Sequence, residues 1–97
     1  MRFQAPRGTT DILPQDQELW SHIRTATQKI AERFGYSRIE TPIFEDTGLF
    51  NRGVGQSTDI IEKETYTFND RGGDSLTLRP EGTAPVCRSY VEHGMHN

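Results

Sequence analysis

An α+β fold with an antiparallel sheet is the architecture this 97-residue sequence predicts, and three patterns predict it. Apolar residues recur at spacings of three and four early in the chain, the mark of an amphipathic helix. Two alternating runs later on flank a polar, glycine-bearing loop, the signal of a β-hairpin. A second helical pattern follows the hairpin directly. Helices segregated from an antiparallel sheet define the α+β class.

Residues 1 to 13 are mixed and turn-rich, with Pro6, Gly8 and Asp11 as punctuation. They read as an extended lead-in with room for a short strand. From Pro14 the pattern changes to Leu19, Ile23, Ala26, Ile30 and Phe34, widened by Trp20, Thr27 and Ala31. Arg24, Lys29, Glu32 and Arg33 fall largely on the other side. Pro14 suits a first turn, Asp16 and Glu18 suit the positive end of the helix dipole, and Gly35 suits a stop. The spacing predicts a helix from about Pro14 to Phe34, roughly 30 Å long at 1.5 Å per residue.

Tyr36 to Glu40 reads as a short strand, ended or placed at an edge by Pro42, which cannot donate to a ladder. Asp46 to Arg52 carries one or two weak helical turns, closed by Gly53 and Gly55. In the hairpin, Tyr66 and Phe68 alternate with Thr65 and Thr67, and Leu76 and Leu78 with Ser75 and Thr77. Asn69-Asp70-Arg71-Gly72-Gly73-Asp74 connects them. The last helix starts just after Gly82, presents Val86, Cys87, Tyr90 and Val91 on one face, and can end at Gly94. Two or three strands make a poor sheet by themselves, so the chain reads as stopping in mid-fold.

Composition points the same way. Core formers make up 32% of residues, below the usual share, which suggests a piece of something larger or a protomer that leans on a partner. With 11 basic against 14 acidic residues and no basic stripe, phosphate neutralisation alone would not hold nucleic acid here. Cys87 is the sole cysteine, which excludes an intrachain disulfide and suits a reducing compartment. No window has the apolar length of a signal peptide or membrane span, so the expected location is the cytoplasm.

The chemistry concentrates in Leu78-Arg79-Pro80-Glu81-Gly82-Thr83-Ala84. Pro80 fixes its own φ and biases Arg79 toward an extended backbone. Gly82 permits close approach of a ligand to the backbone. Glu81 and Thr83 offer a carboxylate and a hydroxyl, a sensible pair for the α-amino group of an amino acid. The same residues also suit a purely structural junction, with Thr83 as N-cap and Glu81 as a favourable charge at a helix N-terminus.

That string, preceded by Glu64-Thr65-Tyr66-Thr67-Phe68-Asn69-Asp70, resembles the histidyl-tRNA synthetases. Phe34-Gly35-Tyr36, Glu40-Thr41-Pro42-Ile43-Phe44-Glu45 and Leu49-Phe50 resemble motif 1 of that class II family, and Arg7-Gly8 with Asp11-Ile12-Leu13-Pro14 resembles its lead-in. The match is collinear over essentially all 97 residues. It implies a partial class II catalytic fold, with residues 1–97 as the N-terminal part of the catalytic domain, ending before motif 2. Glu81, Gly82 and Thr83 then inherit the histidine-binding turn. Pro42 and the long helix inherit the motif 1 interface of a homodimer, although the helix stripe would also serve as an ordinary core face.

The resemblance further implies histidine, ATP with magnesium, and tRNA(His) as substrates of the parent enzyme. Its ATP-binding arginines, histidine-specificity signature and anticodon-binding domain are expected beyond Asn97. The chain alone is therefore expected to be an inactive piece of a histidine–tRNA ligase that binds no cofactor itself. A second reading is a synthetase-like regulatory subunit of histidine biosynthesis, which tends to carry a different acidic-and-threonine turn. A synthetase-like sensor domain of a stress kinase and a self-contained dimerising module complete the alternatives.

The remaining candidates carry less. Gly53-Val54-Gly55 and Gly72-Gly73 are too short for a phosphate loop. His22 reads as a surface or edge residue. His93 and His96 lie three apart without an accompanying Cys or carboxylate cluster, so they do not make a metal site. Cys87 reads as a small buried hydrophobe rather than a nucleophile, and Arg79 and Arg88 read as structural ion-pair partners.

Overall fold

The computed structural model describes residues 2–52 and 64–97, in two compact units, Met1–Arg38 and Ile39–Asn97. The predicted end of the short helix at Gly53 and Gly55 lies outside the described residues, as does the Gly53-Val54-Gly55 loop.

In the first unit, residues 2–13 contain no strand, so the expected lead-in forms but its strand does not. A 3₁₀ turn, Pro14–Asp16, opens the long helix α1, Gln17–Arg33. The predicted helix is thus present over nearly its whole span. Its end shows why Gly35 stops it. The amide of Gly35 donates to Glu32 O (3.0 Å) and that of Tyr36 to Ala31 O (3.0 Å), with Gly35 at φ +79°. This paired closure needs a left-handed residue, a conformation that costs little only for glycine. The stripe of α1 stays open: no residue of the helix is buried, and Leu19, Trp20, Ile23 and Ile30 are all exposed.

The second unit holds a three-stranded antiparallel sheet in the order β1-β3-β2, with β1 at Phe44–Asp46, β2 at Thr67–Asn69 and β3 at Ser75–Leu78. The hairpin β2–β3 forms as predicted. Its loop closes because Asp70 Oδ1 accepts the Asp74 amide (2.8 Å) and Asp70 O accepts the Gly73 amide (3.1 Å), with Gly73 at φ +91°. Helix α2, Thr47–Arg52, leaves β1 at once, and Asp46 caps it by accepting the Gly48 amide (2.8 Å). Helix α3, Thr83–Glu92, follows β3 and ends on Gly94 in the same way that α1 ends on Gly35.

The strand expected at Tyr36 to Glu40 is absent, and register explains the shift. Phe44 pairs with Leu78, so two residues further along Pro42 comes opposite Pro80. That pair would be a non-hydrogen-bonded one, because the Arg79 amide donates to Ile43 O (3.0 Å) in the pair before it. The ladder ends there. Residues 36–40 would face a partner that has already turned into α3.

The sheet's two faces are of opposite character. Glu45, Thr77 and Thr67 share the face toward the helices, and Glu45 and Thr77 are buried. Thr77 Oγ1 donates to Thr47 Oγ1 at the start of α2 (2.9 Å). Hydroxyl contacts extend from there to Ser75 (2.7 Å from Thr47) and Thr67 (2.8 Å from Thr77). Phe44, Phe68, Leu76 and Leu78 occupy the other face, where the Phe44 and Phe68 rings meet edge to face at 5.8 Å. Phe44, Phe68 and Leu78 are exposed. Among the described residues Phe50 of α2 is the buried hydrophobic residue.

Val86, Cys87, Tyr90 and Val91 share one face of α3 as predicted, but all four are exposed, and Cys87 is not the buried residue its apolar neighbours suggest. The helix turns Pro85, Arg88 and Ser89 inward instead. The sheet face beneath carries a carboxylate and hydroxyls, so the polar stripe of α3 is the one that fits it. Among the described residues, no helix is long and apolar enough to cross a membrane.

Candidate functional site

The turn between β3 and α3 is built from both its flanks. Gly82 is the N-cap of α3 and Thr83 its first helical residue, so Thr83 is not the cap that spacing allowed. Glu81 does that work from one residue earlier. Its Oε2 accepts the Thr83 amide at 2.6 Å and its Oε1 accepts the Ala84 amide at 3.1 Å. Two of the orphan donors of the helix N-terminus are thereby satisfied. Glu81 itself stays exposed, and a carboxylate has lone pairs to spare after two such bonds.

Its neighbours are open as well. The Thr83 hydroxyl is exposed and has no hydrogen-bond partner among the described residues. Gly82 lies at φ −106°, which any residue adopts, and a Cβ built on it would meet nothing within 4 Å. Neither backbone conformation nor packing within the described residues demands glycine here. A fixed carboxylate, a free hydroxyl and clear space over a glycine thus sit side by side. Chemically this arrangement suits a small cation such as a primary ammonium, held by charge-assisted hydrogen bonds.

Both arginines of this unit that were read as structural have anchoring contacts. The Nη1 of Arg79 donates to Thr41 O (2.8 Å), Pro42 O (3.2 Å) and Thr41 Oγ1 (3.3 Å). From α3, Arg88 makes a two-pronged pair with Glu45 of β1, Nε to Oε1 at 3.0 Å and Nη2 to Oε2 at 2.8 Å, and reaches Glu92 with Nη1 at 3.0 Å. The hydrogen bond to Glu45 raises the Arg88 pKa further above its already high value, so the clasp between helix and sheet keeps its positive member charged. Pro42 is exposed and precedes β1.

The other candidates stay apart from the turn's chemistry. His22 is an exposed residue of α1. His93 sits 3.6 Å from Glu92, and the His96 ring packs at 6.0 Å from that of Tyr90. Among the described residues, no three His, Cys, Asp or Glu side chains gather to hold a metal ion. Gly72 and Gly73 belong to the hairpin loop. Sequence reasoning missed the acceptors of Arg79 and the capping role of Glu81; the prolines at 42 and 80 were the available signal for the first.

The model of the histidyl-tRNA synthetase family matches residues 8–96. The chain belongs to that family. It is 64% identical to a histidine–tRNA ligase of Dehalococcoides mccartyi over 93 residues, covering 96% of this chain and 22% of that protein. The apo crystal structure of S. aureus histidyl-tRNA synthetase superposes with a TM-score of 0.82 at 46% identity, over 99% of this chain and 22% of that one. The chain spans about 22% of the length of the curated relatives it matches. A Bacillus halodurans protein described as an ATP phosphoribosyltransferase regulatory subunit/histidyl-tRNA synthetase is also similar, with a TM-score of 0.71 at 26% identity over 93% of this chain and 23% of that one. In both sequence and shape the family's ligase stands nearer than that relative, so the regulatory reading is not favoured. The partial synthetase fold expected from sequence is present.

Proposed function

We propose that residues 1–97 form the N-terminal part of the catalytic domain of a histidine–tRNA ligase, with Glu81, Gly82 and Thr83 receiving the α-amino end of histidine. In the longer protein, ATP with magnesium and tRNA(His) are bound by other segments. The observation that carries this reading is the Glu81 carboxylate, fixed by the Thr83 and Ala84 amides beside an unused hydroxyl. A group already immobilised loses little further entropy when an ammonium docks. Glu81 and Thr83 serve recognition; the activation of histidine by ATP is chemistry of the whole enzyme, which works in the cytoplasm.

The open apolar stripe of α1 and the segment carrying Pro42 support a role as the interface of a closed two-fold homodimer. The 97 residues alone would then bind histidine weakly and catalyse no ATP–pyrophosphate exchange; robust exchange by the pure chain would overturn this.

The turn is tested by Glu81→Gln in a full-length synthetase carrying these residues. Histidine binding should weaken by about 1.5–3 kcal/mol, the range for hydrogen bonds to charged groups. An unchanged dependence of exchange on histidine concentration removes Glu81 from the site.

A further inference from the structure

We infer that Arg79 is a positioning residue for the histidine turn, acting as a strut that replaces the missing end of the sheet. The inference rests on the assignment of Glu81, Gly82 and Thr83 to histidine.

Three consecutive carbonyls, those of Thr41, Pro42 and Ile43, all accept hydrogen bonds from this one residue. Its amide takes Ile43 O at 3.0 Å, and its Nη1 takes Thr41 O at 2.8 Å and Pro42 O at 3.2 Å. Only alternate carbonyls of a strand edge face its neighbour, and the Arg79 amide makes the last bond to the β1 side, so the Thr41 and Pro42 carbonyls need another donor. The guanidinium supplies it from a side chain, both carbonyl bonds coming from Nη1.

The consequence reaches the substrate turn through a very short path. Arg79 is pinned through its backbone and its side chain, and Pro80 next to it has a fixed φ. Glu81 comes immediately after, its carboxylate pinned to the Thr83 and Ala84 amides. Little torsional freedom lies between the strut and the carboxylate. Without the guanidinium, the last ladder bond at Ile43 becomes an exposed sheet end, and the Glu81 carboxylate moves with it. Among the described residues the hydrogen bonds of Arg79 run to residues 41–43 rather than to the turn's open face, so its effect is on where Glu81 stands.

The test is the histidine and ATP dependence of ATP–pyrophosphate exchange in a full-length synthetase carrying these residues, compared among Arg79→Gln, Arg79→Lys and Glu81→Gln. Arg79→Gln should raise the histidine KM on the order of 10-fold, as small displacements of a positioned group do, and leave the ATP KM unchanged. Arg79→Lys keeps a charged nitrogen with donors for two carbonyls but loses the planar guanidinium that holds it in place, and should fall between Gln and the parent, at about 3-fold. A role in folding alone would lower kcat per total enzyme and leave both KM values in place. That result overturns the proposal, as does a parallel rise in both KM values. Should Arg79→Gln not fold, a histidine KM in Arg79→Lys equal to the parent's overturns it. Glu81→Gln separates the two layers. An unchanged histidine KM in that variant sinks the turn itself, whereas a raised one beside unaltered Arg79 variants sinks only the strut.

Discussion

Helices α1 and α3 end alike and pack differently. Each closes on a left-handed glycine, Gly35 or Gly94, through the same pair of amide-to-carbonyl bonds. Each carries an apolar stripe at helical spacing. Yet α1 buries no residue, while α3 buries Pro85 and Ser89 and is clasped to β1 by Arg88. The stripe of α3 is left outside, because the sheet face it meets carries Glu45 and Thr77. Periodicity therefore identifies a helix and its stop; what the stripe packs against is decided by the chemistry of the opposing surface.

Substitutions can break or sharpen that contrast. The largest effect is expected at the small core beside α3. Phe50→Ala should cost about 3–5 kcal/mol in denaturant unfolding, as for other buried aromatics. Thr77→Val follows, at about 1–3 kcal/mol, because it removes a buried hydroxyl bonded to both Thr67 and Thr47. Gly35→Ala and Gly94→Ala should cost about 1–2 kcal/mol each, since both force a side chain into the left-handed region. Unequal losses at these two positions would show that the helix ends are alike in geometry only. The smallest effect belongs to the open stripe, where Ile23→Ala in the 97-residue chain should stay within about 0.5 kcal/mol. A loss there as large as that of Phe50→Ala would mean that α1 is covered in solution, and the contrast would fail.

Much of this was legible beforehand, for a physical reason that also marks the limit. The span of α1, the hairpin and the start of α3 depend on neighbours within a few residues, and their patterns can be read locally. The position of β1 depends on its pairing with β3, where Phe44 meets Leu78, so a strand was expected at Tyr36 to Glu40 instead of Phe44 to Asp46. The bond from Arg79 to Thr41 likewise joins residues 38 apart. Cys87 was expected inside because its neighbours are apolar; the carboxylate of Glu45, far off in sequence, sends it out. In the turn, residue types alone allowed either a cap or a ligand site. Glu81 forms the cap, and the same fixed carboxylate carries the proposed site.

This end of the sheet leaves a trace that can be watched in time. The Arg79 amide makes the last bond from β3 to the β1 side, to Ile43 O. Fraying from this end therefore reaches that amide first. Its deuterium uptake would act as a single-residue clock for how often the base of the turn comes loose.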